Sequence, residues 1–311
     1  MNFLTIVAPA YNEESLIKDF IKEVTLQVEK ITPDYEVIIV DDGSMDLTWS
    51  EITKECESNK KIKGIKLSRN FGHHYAITAG LFASKGQWTV VMDSDLQDRP
   101  EVIADLLKKA QEGFDVVFVN RVDRPESVLY KLCQRFFYFT LNLLSGLDFD
   151  SRQANFSIIS QKVVRAFKLL PENGRFYGSS IKWLGFEKTA IEAKHGNRLS
   201  GKPSYTIRKR IKLATEIILS FSERPLIFSV ILGILVSLSA LGLTVFILFK
   251  SISDGFEVTG WASLTVSILF TSGSILTMIG LLGIYVGRIY TEVKSRPLFV
   301  ISERKNLADL D

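Results

Sequence analysis

From Leu226 to Phe249, and again from Ala262 to Gly287, the chain carries no charged side chain. These runs of 24 and 26 residues constrain the fold more than any other feature. As helices rising ~1.5 Å per residue, each outspans the ~30 Å hydrocarbon core of a bilayer, with length left for tilt. Uninterrupted apolar helices of that length are hard to bury in a soluble domain, so two membrane spans are expected. Arg208, Lys209, Arg210, Lys212 and Arg224 precede the first run; Arg288, Lys294, Arg296, Arg304 and Lys305 follow the second; the loop between carries Asp254 and Glu257. Cations mark the cytoplasmic flanks of spans, which puts the loop outside and both termini in the cytoplasm. The expected location is the inner (plasma) membrane, multi-pass.

The remaining length suits one α/β domain of about 200 residues. A net charge of +3 over 311 residues is too small to argue for a nucleic-acid partner. Cys56 and Cys133 are far apart, in no metal-binding spacing, and read as reduced thiols. The N-terminus reads as a strand running into Pro9-Ala10-Tyr11-Asn12-Glu13 rather than as a signal peptide, so membrane targeting is expected from the C-terminal hairpin.

Short apolar runs alternate with amphipathic ones through the first 120 residues. Strands are expected at Phe3–Ala8, Tyr35–Val40, Ile62–Leu67, Gln87–Met92 and Asp115–Val119, and helices at Glu13–Lys30, Leu47–Ser58, His74–Ser84 and Pro100–Glu112. That alternation predicts an α/β fold with a mainly parallel, Rossmann-like sheet, which binds ligands beyond the carboxyl ends of its strands. Polar clusters fall at those ends: Tyr11-Asn12-Glu13, Asp41-Asp42-Gly43-Ser44 and Asp93-Ser94-Asp95. Further on, Glu126–Ser145 and Ile207–Ser222 mix cations with apolar residues and read as helices at the headgroup level. The expected division is a catalytic domain 1–206, an interfacial helix 207–224, a hairpin 225–287 with spans 226–249 and 262–287, and a tail 288–311. Gly233 with Ser237, and Gly283 with Gly287, put small residues one helical turn apart. That spacing permits close helix contact within one chain or between chains, and is compatible with a homo-oligomer.

Two carboxylates at the end of a buried strand repel unless a cation joins them, and Mg²⁺ or Mn²⁺ accepts such all-oxygen surroundings. Such ions are held by one or two carboxylates plus substrate phosphates, so Asp93 and Asp95 point to a diphosphate ligand. Asp42 is expected to contact a nucleotide and Asp46 to cap the following helix. Other schemes fail: there is no Gly-x-Gly-x-x-Gly, no Gly-Lys-Ser/Thr loop and no Gly-x-Ser-x-Gly elbow. His73 and His74 are adjacent and cannot share a helical face, and His195 stands alone, so no histidine metal site is expected.

Pro9-Ala10-Tyr11-Asn12-Glu13, Asp41-Asp42-Gly43-Ser44-x-Asp46, Ser68-Arg69-Asn70-Phe71-Gly72 and Asp93-Ser94-Asp95-Leu96-Gln97-Asp98-x-Pro100 resemble the motifs of family 2 glycosyltransferases. More narrowly, with Arg198-x-x-Gly201-x-x-x-Tyr205 and the Gly280-to-Pro297 ending, the chain resembles the polyprenyl-phosphate glycosyltransferases, the group of the bactoprenol glucosyltransferases and dolichol-phosphate mannose synthase. The resemblance implies a GT-A fold and a metal-dependent, inverting transfer of one sugar from a nucleotide sugar, UDP-linked above other carriers, to a polyprenyl (undecaprenyl) phosphate. It implies that Pro9, Tyr11, Glu13 and Asp42 hold the nucleotide, that Asp93 and Asp95 bind the diphosphate through the metal, that Gln97 lies near the sugar and that Arg198 reaches the phosphates. Lys202, Tyr205, Arg208 and Arg210 would meet the lipid phosphate and the membrane.

Two segments depart from the pattern. Many relatives read Gly-Asp-Phe-Arg where this chain has Ala154-Asn155-Phe156-Ser157, and they commonly carry Gly-x-Ser-Lys-Tyr where it has Gly201-Lys202-Pro203-Ser204-Tyr205. The missing carboxylate need not abolish transfer. A phosphate monoester, with a second pKa near 6, is mostly dianionic at neutral pH and needs little help from a base, and Asn155 can still orient a substrate. The rival readings are a processive polysaccharide synthase, disfavoured by two spans and no Gln-x-x-Arg-Trp, and a non-catalytic nucleotide-sugar-binding membrane protein, disfavoured by the intact Asp93/Asp95 pair.

Overall fold

The structure is a computed structural model that describes residues 3–122, 135, 140, 142–143, 153–171, 176–194, 222, 224–254 and 260–307. It divides into two compact units, and the first takes in the chain on both sides of the second.

In the first unit, β1 (Leu4–Ala10), β2 (Tyr35–Asp41), β3 (Ile62–Leu67) and β4 (Trp88–Val91) are parallel, in the spatial order β3-β2-β1-β4. Every residue of β1 and β2 is buried, which is why they read as continuous apolar runs rather than alternating ones. Successive side chains divide between two layers. Leu4, Ile6 and Ala8 pack with α1 (Ile17–Ile31), α2 (Thr48–Ser58) and α4 (Val102–Gln111). Val7, Ile38 and Val40 pack with α3 (His73–Ala83), α5 (Gln161–Lys168) and α6 (Tyr177–Trp183). In α1 the buried residues Ile17, Phe20, Ile21, Val24 and Val28 recur at helical spacing and make one stripe.

All five strands and four helices expected in the first 120 residues are present, within a few residues. The largest difference is at α1, which starts at Ile17 rather than Glu13. The amides of Glu13 and Glu14 donate instead to Thr48 Oγ1 and Asp46 Oδ2, at 2.8 and 3.3 Å.

Three strands lay outside the expected set. β5 (Val116–Val122) is followed by β6 (Gln153–Ser160), which runs antiparallel between β4 and β5, and β7 (Lys188–Lys194) pairs parallel with β5. β8 (Ile301–Lys305), from the segment expected as a separate tail, pairs antiparallel with β3 and completes the order β7-β5-β6-β4-β1-β2-β3-β8. It is pinned by Ser68 N–H to Val300 O (2.8 Å), Trp49 Nε1–H to Glu303 Oε2 (3.1 Å), and Asn306 Nδ2 to the carbonyls of Cys56 and Ile62 (2.6 and 2.8 Å).

The second unit holds two long helices, α7 (Arg224–Asp254) and α8 (Trp261–Val293). Among the described residues, Phe270–Val293 is one helical stretch long and apolar enough to cross a membrane; Leu226–Gly242 is apolar but shorter. The helices touch at Gly233, where an added Cβ would stand 3.2 Å from Met278 Cε. Gly283 and Gly287, expected at a close contact, have nothing within 4 Å of a built Cβ. The interfacial helices expected at 126–145 and 207–222 lie largely outside the described residues.

Candidate active site at the carboxyl ends of the strands

Because β1 to β4 are parallel, the segments that follow them emerge on one edge of the sheet. The turns after β1 and β2 are laced together: Asn12 N–H donates to Ser44 Oγ (2.9 Å) and Met45 N–H to Asn12 Oδ1 (3.0 Å). Asn12 takes a left-handed φ of 55°, a conformation asparagine tolerates. Asp46 accepts from the Thr48 N–H and hydroxyl, at 3.0 and 2.6 Å, ahead of α2. Burial pulls its carboxyl upward, but these bonds and the Glu14 N–H together hold it below the usual range.

Asp42 is almost fully buried, and both its oxygens face inward. Oδ1 accepts from Phe71 N–H at 2.8 Å and Oδ2 from Gly72 N–H at 2.9 Å. Burial raises its pKa against the lowering effect of those two bonds. The carboxylate expected to touch a nucleotide thus clamps the segment after β3 and fixes the start of α3, where Gly72 carries a φ of 112°.

Asp93 and Asp95 follow β4. Ser94 Oγ–H ties the turn to Pro9 O (2.9 Å), Gln97 N–H donates to Asp95 Oδ1 (3.1 Å) and Asp93 N–H to Asp98 Oδ2 (3.2 Å). Leu96, with φ 60°, makes the bend. Asp98 is buried, and Arg121 Nη2 stands 3.4 Å from its Oδ1. Burial first, then the neighbouring Asp93, pushes Asp98 up to about 7. Gln97, Asp98, Arg121 and Phe156 line a small crevice beside this turn.

The register of β6 on β4 pairs Trp88 with Ser160 and Val91 with Ser157. Continued by two residues, it sets Asn155 opposite Asp93. His73, at the start of α3, completes the cluster: its Nε2 lies 3.2 Å from Asn155 Nδ2 and 3.3 Å from Asp93 Oδ1. Ser157 Oγ donates to Asn155 O (2.8 Å) and shares a hydrogen bond with Tyr177 OH (2.7 Å), so Ser157 braces the asparagine. His74 turns toward Tyr177, whose N–H it accepts at 3.4 Å, with its ring edge-on to Phe176. Burial, then His73 beside it, lowers His74 to about 3, so it is neutral near pH 7.

Asp93 Oδ1 is buried, and His73 Nε2 at 3.3 Å is its polar neighbour. A buried carboxylate oxygen with a second carboxylate two residues on suits a hard divalent cation. Among the described residues no three His, Cys, Asp or Glu side chains are arranged to hold a metal by themselves. Pro9 lies inside β1, paired with Val40, and only its carbonyl reaches the turn; Tyr11 is partly exposed at the edge and Glu13 starts the next segment. Arg198, Lys202, Tyr205, Arg208 and Arg210 lie outside the described residues. His73, Asp98 and Arg121 were not expected in the site. The Phe71-Gly72 motif ending at His73 was a usable signal for the first, and the aspartate following Gln97 for the second.

Residues 5–167, which carry β1 to β6, match the family described as Glycosyl transferase family 2. The chain belongs to that family. It is 35% identical to a bactoprenol glucosyl transferase of Shigella phage SfX, over 97% of this chain and 99% of that one. It is equally 35% identical to the uncharacterized glycosyltransferase YkcC of Bacillus subtilis, over 96% of this chain and 93% of that one. Glucosyl-3-phosphoglycerate synthase from Mycobacterium tuberculosis, solved with Mn²⁺, UDP and phosphoglyceric acid, superposes with a TM-score of 0.50 at 19% identity, over 70% of this chain and 76% of that one. The sheet is thus a GT-A fold, and the protein is a glycosyltransferase.

Proposed function

We propose that this glycosyltransferase moves a single sugar from a nucleotide sugar, UDP-linked, to a polyprenyl phosphate at the cytoplasmic membrane face, with inversion. Full-length likeness to a bactoprenol glucosyl transferase supports the acceptor class. The observation that supports two crossings rather than one is the pairing of β8 with β3. The chain leaves the sheet, forms two long apolar helices and returns to the same sheet, which supports an even number of crossings over an odd one. One crossing would strand β8 on the wrong side; two crossings use both helices.

Asp93 and Asp95 would hold the Mg²⁺ or Mn²⁺, which when bound offsets charge on the departing diphosphate. The chain's own part is positioning. The clamp of Asp42 on Phe71 and Gly72, and the tie from Ser94 to Pro9, fix the rim on which donor and acceptor would meet. Asn155, with no charge to repel a phosphate dianion, offers a hydrogen bond where relatives carry an acid. A dianionic phosphate is already nucleophilic, so the site is not asked for a general base.

Membranes containing the protein, incubated with undecaprenyl phosphate and a panel of radiolabelled nucleotide sugars, should yield one sugar on an extractable lipid. Asp95→Ala should lower that rate at least about 100-fold. A near-normal rate in the variant would sink the metal assignment. A growing polymer, or donor binding without turnover, would replace the transfer reading with one of its rivals.

A further inference from the structure

We propose that Leu96 is a positioning residue for the transfer. Its side chain, seated on the core while its backbone holds a left-handed bend, aims the neighbouring Asp95 and Gln97. This rests on the metal–diphosphate reading of Asp95 above and adds the group that keeps that carboxylate in place.

The residue type at the bend is the first observation. Elsewhere among the described residues a positive φ falls on glycine (43, 72, 113, 185), asparagine (12, 306) or serine (295), which are small or bond locally to the backbone. Leu96, at φ 60°, is the one bulky apolar side chain among them. In that region Cβ crowds the following carbonyl oxygen, which disfavours leucine against glycine by about 5- to 30-fold. Leucine has no polar group with which to offset the crowding. Packing does so instead: Leu96 lies against the buried cluster that holds Met92, Ile103 and Phe156.

The place of the bend is the second. Turning the chain at 96 brings Gln97 N–H to Asp95 Oδ1 at 3.1 Å and so sets the direction of the carboxylate. The flanks are anchored separately, by Ser94 Oγ–H on Pro9 O at 2.9 Å and by Asp93 N–H on Asp98 Oδ2 at 3.2 Å. A right-handed or extended Leu96 would relieve the crowding, but it would pull the side chain off its seat and part Gln97 from Asp95. The seat therefore holds one geometry of the turn before substrate arrives. Groups fixed in advance need no reordering as charge develops on the departing diphosphate.

Four variants separate the seat from the bend. Leu96→Gly and Leu96→Asn accept the left-handed backbone but lose the seat. Leu96→Ala loses the seat and keeps the crowding, and Leu96→Met keeps both. Full-length, metal-free protein in detergent is followed by hydrogen exchange of residues 93–99, and transfer is assayed with undecaprenyl phosphate and the donor accepted in the panel above. In Leu96→Gly, exchange at 93–99 should quicken about 5- to 30-fold. Exchange across α4 should stay as in wild type, and the variant should melt within a few degrees of it. Its kcat should fall about 10- to 100-fold with donor KM within about threefold, because misplacement acts on the transition state more than on binding. Leu96→Asn should follow Leu96→Gly, Leu96→Ala should fall furthest, and Leu96→Met should restore both readouts. Wild-type kcat and exchange in Leu96→Gly would show that the bend alone suffices and overturn the proposal. Slow transfer with unchanged exchange, or faster exchange that extends across α4, would overturn it as well. Asp95→Ala separates the two readings: near-normal transfer there removes the metal assignment, whereas an inactive Asp95→Ala beside a fully active Leu96→Gly removes only the role of Leu96.

Discussion

Replacing Asp42 with asparagine isolates the clamp that fixes the start of α3. The carboxylate is 3% exposed, and each oxygen accepts one backbone N–H, from Phe71 at 2.8 Å and from Gly72 at 2.9 Å. Asparagine keeps one acceptor and turns an NH₂ toward the other amide. Losing a hydrogen bond to a charged group costs about 1.5–3 kcal/mol. Part is regained, because burial disfavours the charge there, as the raised pKa of Asp42 records. A net loss of about 1–2 kcal/mol follows, or a fall in Tm of roughly 2–8 °C for a domain of this size. The loop should also open more often, by about 5- to 30-fold. Thermal unfolding followed by tryptophan fluorescence reads the first quantity. The rate of tryptic cleavage after Arg69, an exposed residue of the clamped loop, reads the second. Unchanged Tm and cleavage, together with weaker nucleotide binding, would refute the clamp and return Asp42 to direct contact with the nucleotide.

Deleting residues 297–311 should cost roughly 5 kcal/mol, from the lost bonds of Val300, Glu303 and Asn306 and the packing of Phe299, Ile301 and Leu307. It should also impair transfer; a chain ending at Arg296 that is as stable and active as the whole would count against the sheet pairing. Burial raises the pKa of Asp41, whose Oδ2 has no hydrogen bond. A carboxyl with a raised folded pKa contributes stability below its unfolded value that is lost as pH rises through the folded one. Asp41→Asn should therefore gain in Tm relative to wild type between pH 4 and 7, and a constant difference would contradict this. At Gly80 an added Cβ would stand 2.3 Å from Val7 Cγ1, on a stiff and fully buried side chain. The helix propensity gained by Gly80→Ala, about 1 kcal/mol, is smaller than an overpacking cost of up to about 3 kcal/mol. Chemical denaturation should show a net loss of about 1–2 kcal/mol, and a more stable variant would mean that β1 and α3 can separate.

The first 120 residues were legible because β1 and β2 are buried throughout and α1, α2 and α4 bury one face, so burial writes itself into the order of apolar residues. β6 escaped notice because its place between β4 and β5 depends on an antiparallel return from a distant segment. Ile158 and Ile159 fill the core, but nothing in the local pattern announces the pairing partner. β8 carries Ser302, Glu303, Arg304 and Lys305 in succession. An edge strand need not be apolar, and charge there discourages pairing with other chains, so no hydrophobic signature was available. In the site, Asp93 and Asp95 were identified by adjacency along the chain, whereas His73 and Asn155 are 82 residues apart and meet only through the sheet.

By itself, the sequence determined the parallel α/β layer, the strand-end carboxylates and the two charge-free helical runs, because those properties are local: periodicity, charge and length act within a few turns of chain. Tertiary structure decided which groups face one another. The register of β6 on β4 brought Asn155 to Asp93, the Asp42 clamp brought His73 to both, and the return of β8 to β3 closed the path of the chain around its apolar helices. Those contacts depend on backbone pairing between distant segments, which side-chain order along one strand does not encode.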